Sequence, residues 1–347
     1  MLDSSVTSPP RRSSMPVAGE SIYAALDLGT NNCRLLIAAG EPAAGAHLPP
    51  AFRVVDSFSR IVKLGEGVTA TGTLSGEAME RTIAALKVCQ KKLKRYDVAR
   101  ARFVATEACR RASNSDVFVE RVHAETGLTL DIISNEEEAR LAFLGCASLL
   151  SQGSHRAIVF DIGGGSTEFM WIDVTDHANA GGKHPRGIAA WLSIDCGVMN
   201  LADRFGGQAF ADLAFDDMVA YVEKRIAPFD EANDIGDTLS GGRVQLLSTS
   251  GTVTTLAAIH LGLPRYDRSR IDGIRLAVSD LRETTRKLLA MRPSERFHHP
   301  CIGPDREDYI LSGCAIFEAI SNIWPAGEIT IADRGVREGI IISLLQG

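Results

Sequence analysis

Residues 158–172 read IVFDIGGGSTEFMWI (Ile158–Ile172). An apolar run ends in Asp161, three glycines follow, and Ser166-Thr167-Glu168 leads into a second apolar run. The flanking runs are rich in β-branched and aromatic residues, so each reads as a buried strand and the pair as a hairpin. Its tip is unusual. Glycine permits positive φ and close approach to the main chain, and successive amides in such a turn form a nest for an anion. Asp161 and Glu168 repel a phosphate directly and make sense only with a cation, for which Mg²⁺ is the natural choice among hard oxygen-bound ions. Taken alone, the triplet is equally compatible with an ordinary structural turn.

The same design occurs earlier, in YAALDLGTNNCRLLIA (Tyr23–Ala38): strand, aspartate, one residue, glycine, polar tip, strand. Asp27 precedes Asp161 by 134 residues, which suggests two similarly built halves rather than a short repeat. If the tips face each other, Thr30, Asn31 and Asn32 approach a phosphate from one side and Gly163, Gly164, Gly165, Ser166 and Thr167 from the other. Asp27 then joins Asp161 and Glu168 as a metal-associated carboxylate.

Length and composition agree with two domains around a cleft, since 347 residues exceed the usual single domain and apolar residues make up 45%. With 37 basic and 43 acidic side chains the formal charge is -6, which argues against nonspecific binding to nucleic acid or an anionic membrane. The seven cysteines include no C-x-x-C pair, so neither a disulfide framework nor a zinc site is indicated. Residues 1–20 carry Arg11 and Arg12 with no apolar segment behind them, and no run is long enough to span a bilayer. A disordered tail over 1–20 of a cytoplasmic chain is the expectation.

Between the hairpins, strands are predicted at Phe52–Phe58, Phe103–Ala105 and Leu130–Ile133, with helices over Ser75–Arg95, Asp116–Thr126 and from Asn135. Three glutamates, Glu136, Glu137 and Glu138, occupy the first turn of that last helix. Capping and the helix dipole account for most such residues, and one of them is placed to face the cleft. In the second half, helices are predicted at Val198–Phe205, Phe215–Phe229 and Val253–Leu261. Ser250, Gly251 and Thr252 precede the last of these, offering amides and hydroxyls as an anion seat or simply an N-cap. Further on come a helix over Ala277–Met291, a helix over Asp308–Ile323, a strand at Glu328–Ile331 and a final helix. Arg268, Arg270 and Arg306 are candidates for a basic channel continuing from the cleft.

Taken in order, DLGTNNCRLLIA, ATEACRRASN, SNEEEARLAFLG, FDIGGGSTEF, STSGT and ADRGVREG resemble the exopolyphosphatase and guanosine pentaphosphate phosphohydrolase (Ppx/GppA) family. The resemblance runs from Tyr23 to the end of the chain. It implies an α/β fold of two actin-like (ribonuclease H-like) domains facing an interdomain cleft. The boundaries expected are 21–137 and 138–333, with a helix at 334–347 packing back on the first domain. The implied activity is release of terminal orthophosphate from inorganic polyphosphate, or of the 5′ γ-phosphate from guanosine pentaphosphate, with Mg²⁺. Carried over by position, Glu138, immediately before Ala-Arg, is the catalytic glutamate and Arg110 the motif arginine. Asp161 and Glu168 match the metal-associated carboxylates, and Asn31 with Gly163–Thr167 match the phosphate loops. Ser248 stands where the family usually has glycine. A small-molecule kinase of the same superfold and a noncatalytic sensor of guanosine tetra- or pentaphosphate are the competing readings. A homodimer is left open.

Overall fold

The structure, a computed structural model, describes residues 20–42, 51–151, 153–174, 187–207, 213–242 and 244–347. The tail expected over 1–20 lies outside the described residues except for Glu20, as does the connection 175–186. Among the described residues no helix is long and apolar enough to cross a membrane.

Five strands form the first sheet: β1 (Ser21–Leu28), β2 (Asn32–Gly40), β3 (Phe52–Ile61), β4 (Val98–Ala105) and β5 (Asp131–Ile132), in the order β3-β2-β1-β4-β5. β1, β2 and β3 are an antiparallel meander, while β4 and β5 continue parallel to β1. The second sheet contains β6 (Arg156–Ile162), β7 (Thr167–Asp173), β8 (Ile188–Ile194), β9 (Val244–Ser248), β10 (Ile274–Ala277) and β11 (Glu328–Ile331). Its order is β10-β11-β9-β6-β7-β8, with β6 to β8 antiparallel and β9 and β11 parallel. The first design is therefore built twice, with β10 added at one edge, and the two glycine turns are the tips of equivalent hairpins.

β1 is buried on both faces, with Ala24, Leu26 and Leu28 in one apolar cluster and Tyr23 and Ala25 in another. That is why its sequence reads as a continuous apolar run rather than an alternation. Helices Gly76–Leu93 and Ser115–Thr126 cover the outer face of the first sheet. Phe215–Asn233, Gly251–His260, Val278–Ala290 and Ile310–Ile323 cover that of the second. The layer between the sheets holds two helices, Asn135–Cys146 and the C-terminal Val336–Gln346, and takes side chains from both sheets. The C-terminal helix thus lies against β1 and β2, joining the end of the chain to its first hairpin.

These two helices cross with almost no space between their backbones. A Cβ at Gly339 would lie 1.9 Å from the Leu141 carbonyl oxygen, and one at Gly145 would lie 2.1 Å from that of Gly335. Only glycine fits at either point.

Several elements differ from expectation. β4 begins at Val98 rather than Phe103, because Arg100 and Arg102 lie on a strand whose edge β5 covers only at its end. β8 (IAAWLSI) follows directly on what reads as a polar loop and was not expected as a strand. β10, with four residues, is shorter and takes its place by pairing with β11.

Gly339→Ala is expected to cost about 1–3 kcal/mol through overpacking, measured by urea denaturation. Gly76→Ala, where nothing lies within 4 Å of the added atom, should leave stability within about 1 kcal/mol of wild type.

Candidate active site

The two hairpin tips touch. A Cβ at Gly164 would lie 3.1 Å from Thr30 Cβ and 3.3 Å from the Asn31 amide nitrogen, and one at Gly165 would lie 2.9 Å from Thr30 Oγ1. Each tip is fixed from behind through its carbonyls. Asn31 O accepts from the Val62 and Lys63 amides at 2.8 and 3.1 Å, and Thr30 O accepts from Gly65 N at 2.9 Å. On the other tip, Gly163 O and Gly164 O accept from Val198 N and Met199 N at 3.0 and 2.8 Å, at the start of helix Val198–Arg204. Gly165 O accepts from Asn200 Nδ2 at 2.6 Å. With the carbonyls turned back, the amides of Asn31, Gly164 and Gly165 have no protein acceptor among the described residues. Asn31 Oδ1 is also buried without a partner.

A cavity of ≈ 150 Å³ lies between the tips. The structure brings Asp27, Thr30, Asn31, Asn32, Asp161, Gly163, Gly164, Gly165, Ser166, Gly251, Thr252 and Glu138 to its wall, together with Arg306. Other expected residues stand behind that wall. Thr167 is buried and donates through Oγ1 to Cys196 O at 2.6 Å. Ser250 caps helix Gly251–His260, its Oγ accepting from Thr252 N at 3.1 Å. Both act on the fold of the site rather than on the cavity. Ser248 has a similar part, since its buried Oγ accepts from Ser250 N at 3.2 Å and steadies the turn before the helix. Arg268 donates to Glu338 at 2.7 Å and Arg270 is exposed; neither lines the cavity, so the expected trio of channel arginines reduces to Arg306.

The helix start separates the three glutamates. Ser134 caps it by accepting from Glu137 N at 3.2 Å, Glu136 is exposed, and Glu137 is held by Arg102 and Arg140. Glu138 alone of the three lines the cavity. Arg110 donates to Glu138 Oε2 and to Ile133 O, both at 2.8 Å, and to Glu107 Oε2 at 2.9 Å. A guanidinium with five N–H groups so engaged orients carboxylates. Arg110 itself does not line the cavity.

Sequence reasoning missed Arg34, Glu107 and Tyr309, all on the cavity wall. Arg34 is the cross-strand partner of Asp27. Among the described residues it makes no hydrogen bond or ion pair, and its charge lowers the pKa of both Asp27 and Asp161. The available signal was a lone arginine in an otherwise buried strand, a placement that needs a partner. Glu107 gave no such signal, because acidic residues are ordinary in a first helical turn.

Burial raises the pKa of the clustered acids. Desolvation lifts Asp161 to about 6, with Asp27 adding to the rise and Arg34 opposing it. Desolvation likewise lifts Glu168 to about 7 despite hydrogen bonds from Ser166 and Ser193. Glu138 is pushed well above the ordinary carboxylate range by burial and by Glu168, against the pull of Arg110. Among the described residues no three His, Cys, Asp or Glu side chains converge to hold an ion by themselves. Glu168, hydrogen-bonded by Ser193 Oγ at 3.0 Å, stands off the wall, so the expected set of Asp27, Asp161 and Glu168 is not gathered as one ligand shell. The remaining donors, Asp27 and Asp161, are hard oxygens that line the cavity together with the two hairpin tips. Such a set fits Mg²⁺, which keeps several waters and takes one or two carboxylates plus phosphate oxygens.

A family model described as the Ppx/GppA phosphatase family matches residues 43–347. This chain belongs to that family. Exopolyphosphatase 2 of Mycobacterium tuberculosis is 31% identical over 335 residues, spanning 92% of this chain and 98% of that one. A guanosine-5'-triphosphate,3'-diphosphate pyrophosphatase of Aliivibrio fischeri is 28% identical over 325 residues, 93% of this chain but only 59% of the longer relative. The crystal structure of the Aquifex aeolicus Ppx/GppA family member superposes with a TM-score of 0.73 at 27% identity, covering 94% of this chain and 98% of that one. The Ppx/GppA fold of two actin-like domains is thus the architecture of the doubled sheets described above.

Folded protein holds Asp161 and Glu168 protonated up to about pH 6 and 7, whereas the unfolded chain ionises near pH 4. Between those values the folded state binds more protons, so these groups make stability fall as pH rises through that window. Glu168→Gln removes its share. Measured by urea denaturation in chelator, the variant should gain of order 2 kcal/mol over wild type at about pH 8 and nothing near pH 4.

Proposed function

We propose that this chain hydrolyses terminal phosphoanhydride bonds, releasing orthophosphate from linear polyphosphate or from the 5′ end of guanosine pentaphosphate. The observation that carries the reading is Glu138 on the wall of the cavity formed by two opposed anion-binding hairpin tips. The names of the mycobacterial and Aliivibrio relatives point to the same pair of substrates.

In this reading the unpartnered amides of Asn31, Gly164 and Gly165 hold the terminal phosphoryl group, and Arg34 and Arg306 balance its charge. Phosphoryl transfer requires positioning and electrostatic stabilisation more than covalent work by the protein. Glu138 accepts a proton from a water aligned with the terminal phosphorus. The water oxygen bonds to phosphorus, the bond to the bridging oxygen breaks, and the shortened chain leaves with that oxygen. A raised pKa suits this role, because a more basic carboxylate takes the water proton more readily. Arg110 keeps the carboxylate aimed, with Glu107 fixing the other side of the guanidinium. Asp27 and Asp161 would hold Mg²⁺, which supplies charge neutralisation at the phosphate oxygens when bound.

Orthophosphate release should therefore occur with polyphosphate and no added acceptor, and should require a divalent cation. Glu138→Gln should lower kcat by about 10²–10⁴-fold, with a melting temperature close to that of wild type. Wild-type turnover in the variant would remove Glu138 from the role. Phosphate release only on addition of an alcohol acceptor would favour a kinase.

A further inference from the structure

Two segments far apart in sequence meet at the rim of the cavity. Lys63 Nζ donates to Asp308 Oδ2 at 2.8 Å, and the same ammonium lies 5.4 Å from the centre of the Tyr309 ring. Ile61, two residues before Lys63, and Tyr309, directly after Asp308, both line the cavity, so the ion pair bridges its two walls. The side chains of Lys63 and Asp308 are 26% and 34% exposed, which puts the bridge at the boundary with solvent.

The Lys63 end of the bridge is anchored on the phosphate seat. Its amide donates to Asn31 O at 3.1 Å, and its backbone is left-handed with φ 48°. A lysine held in that region is a constraint that surrounding structure must enforce. The bridge is therefore fixed at one end to the hairpin tip and at the other to the junction between helices Pro304–Glu307 and Ile310–Ile323, where Asp308 ends the first and Tyr309 caps the second.

A cavity of ≈ 150 Å³ admits the reacting end of a substrate, and the remainder passes out over the rim. We propose that the Lys63–Asp308 clasp, backed by Tyr309, is a specificity element favouring unbranched phosphate chains over nucleoside-bearing ones. The inference rests on the hydrolase reading above and narrows its substrate class. A linear chain is one phosphate wide and passes with the clasp closed. A ribose and base attached near the reacting end require the clasp to open. A half-exposed ion pair is weak, so the bias it imposes is about 2–5-fold.

The test compares kcat/KM for a linear polyphosphate of defined length with kcat/KM for guanosine pentaphosphate in four proteins: wild type, Lys63→Asn, Asp308→Asn, and the reversed pair Lys63→Asp with Asp308→Lys. Asparagine and aspartate tolerate the left-handed backbone at position 63. Both single variants should raise the nucleotide-to-chain ratio by about 2–5-fold, and the reversed pair should return it toward wild type. If the two residues act only as isolated charges, the single variants move both substrates together in opposite directions and the ratio stays fixed. That result would overturn the clasp. Absence of phosphate release from either substrate by wild type would instead overturn the hydrolase reading.

Discussion

Burial of several carboxylates around one small cavity is the constraint on which this molecule turns. Asp27, Asp161 and Glu138 face it and Glu168 stands just behind, and each has a raised pKa because ionised oxygen is costly to remove from water. Such a cluster persists only where counter-groups are built in. Arg110 holds Glu138 and Glu107, Arg34 faces Asp27 and Asp161, and Ser193 with Ser166 serves Glu168. The compensation is partial, so the site keeps a demand for positive charge that a bound cation would meet.

The fold supplies two hairpin tips held in contact, each with backbone amides that have no protein acceptor among the described residues. Neither hairpin could do this alone, since each offers only a few amides on one side. Doubling the β-meander gives two tips, and the layer of paired helices between the sheets fixes their approach. Backbone contact at Gly145 and Gly339 makes this layer thin, and the C-terminal helix ties the last residues to β1 and β2. The same helix brings Val336 to the cavity wall, so the crossing at Gly339 is linked to the site although Gly339 does not itself line it.

Much of this was legible in the sequence because it is written in local signals. Asp-x-Gly after an apolar run marks both hairpins, and the order of the motifs gives the doubled architecture. Side-chain direction was less legible. Thr167 and Ser250 stand in the motifs, yet their hydroxyls are spent on Cys196 O and Thr252 N. Arg110 turns its donors to carboxylates, and Glu168 turns to Ser193. Conversely Arg34 looked like part of a strand, and its position opposite Asp27 follows only from the register of β1 and β2. Strand β8 was hidden because its neighbouring loop reads as polar and its own apolar run is short. In each case the missing information is which neighbour a side chain meets, which pairing and packing decide.

The claim that a cation and phosphate relieve a protonated, buried carboxylate cluster is tested most directly by calorimetry. Mg²⁺ and a slowly hydrolysed triphosphate analogue would be titrated together into protein in buffers of different ionisation enthalpy. The account predicts net proton release on binding near pH 6, of about one proton or more, falling by about pH 8, where Asp161 and Glu168 are already ionised. Binding with no proton exchange across that range would contradict it.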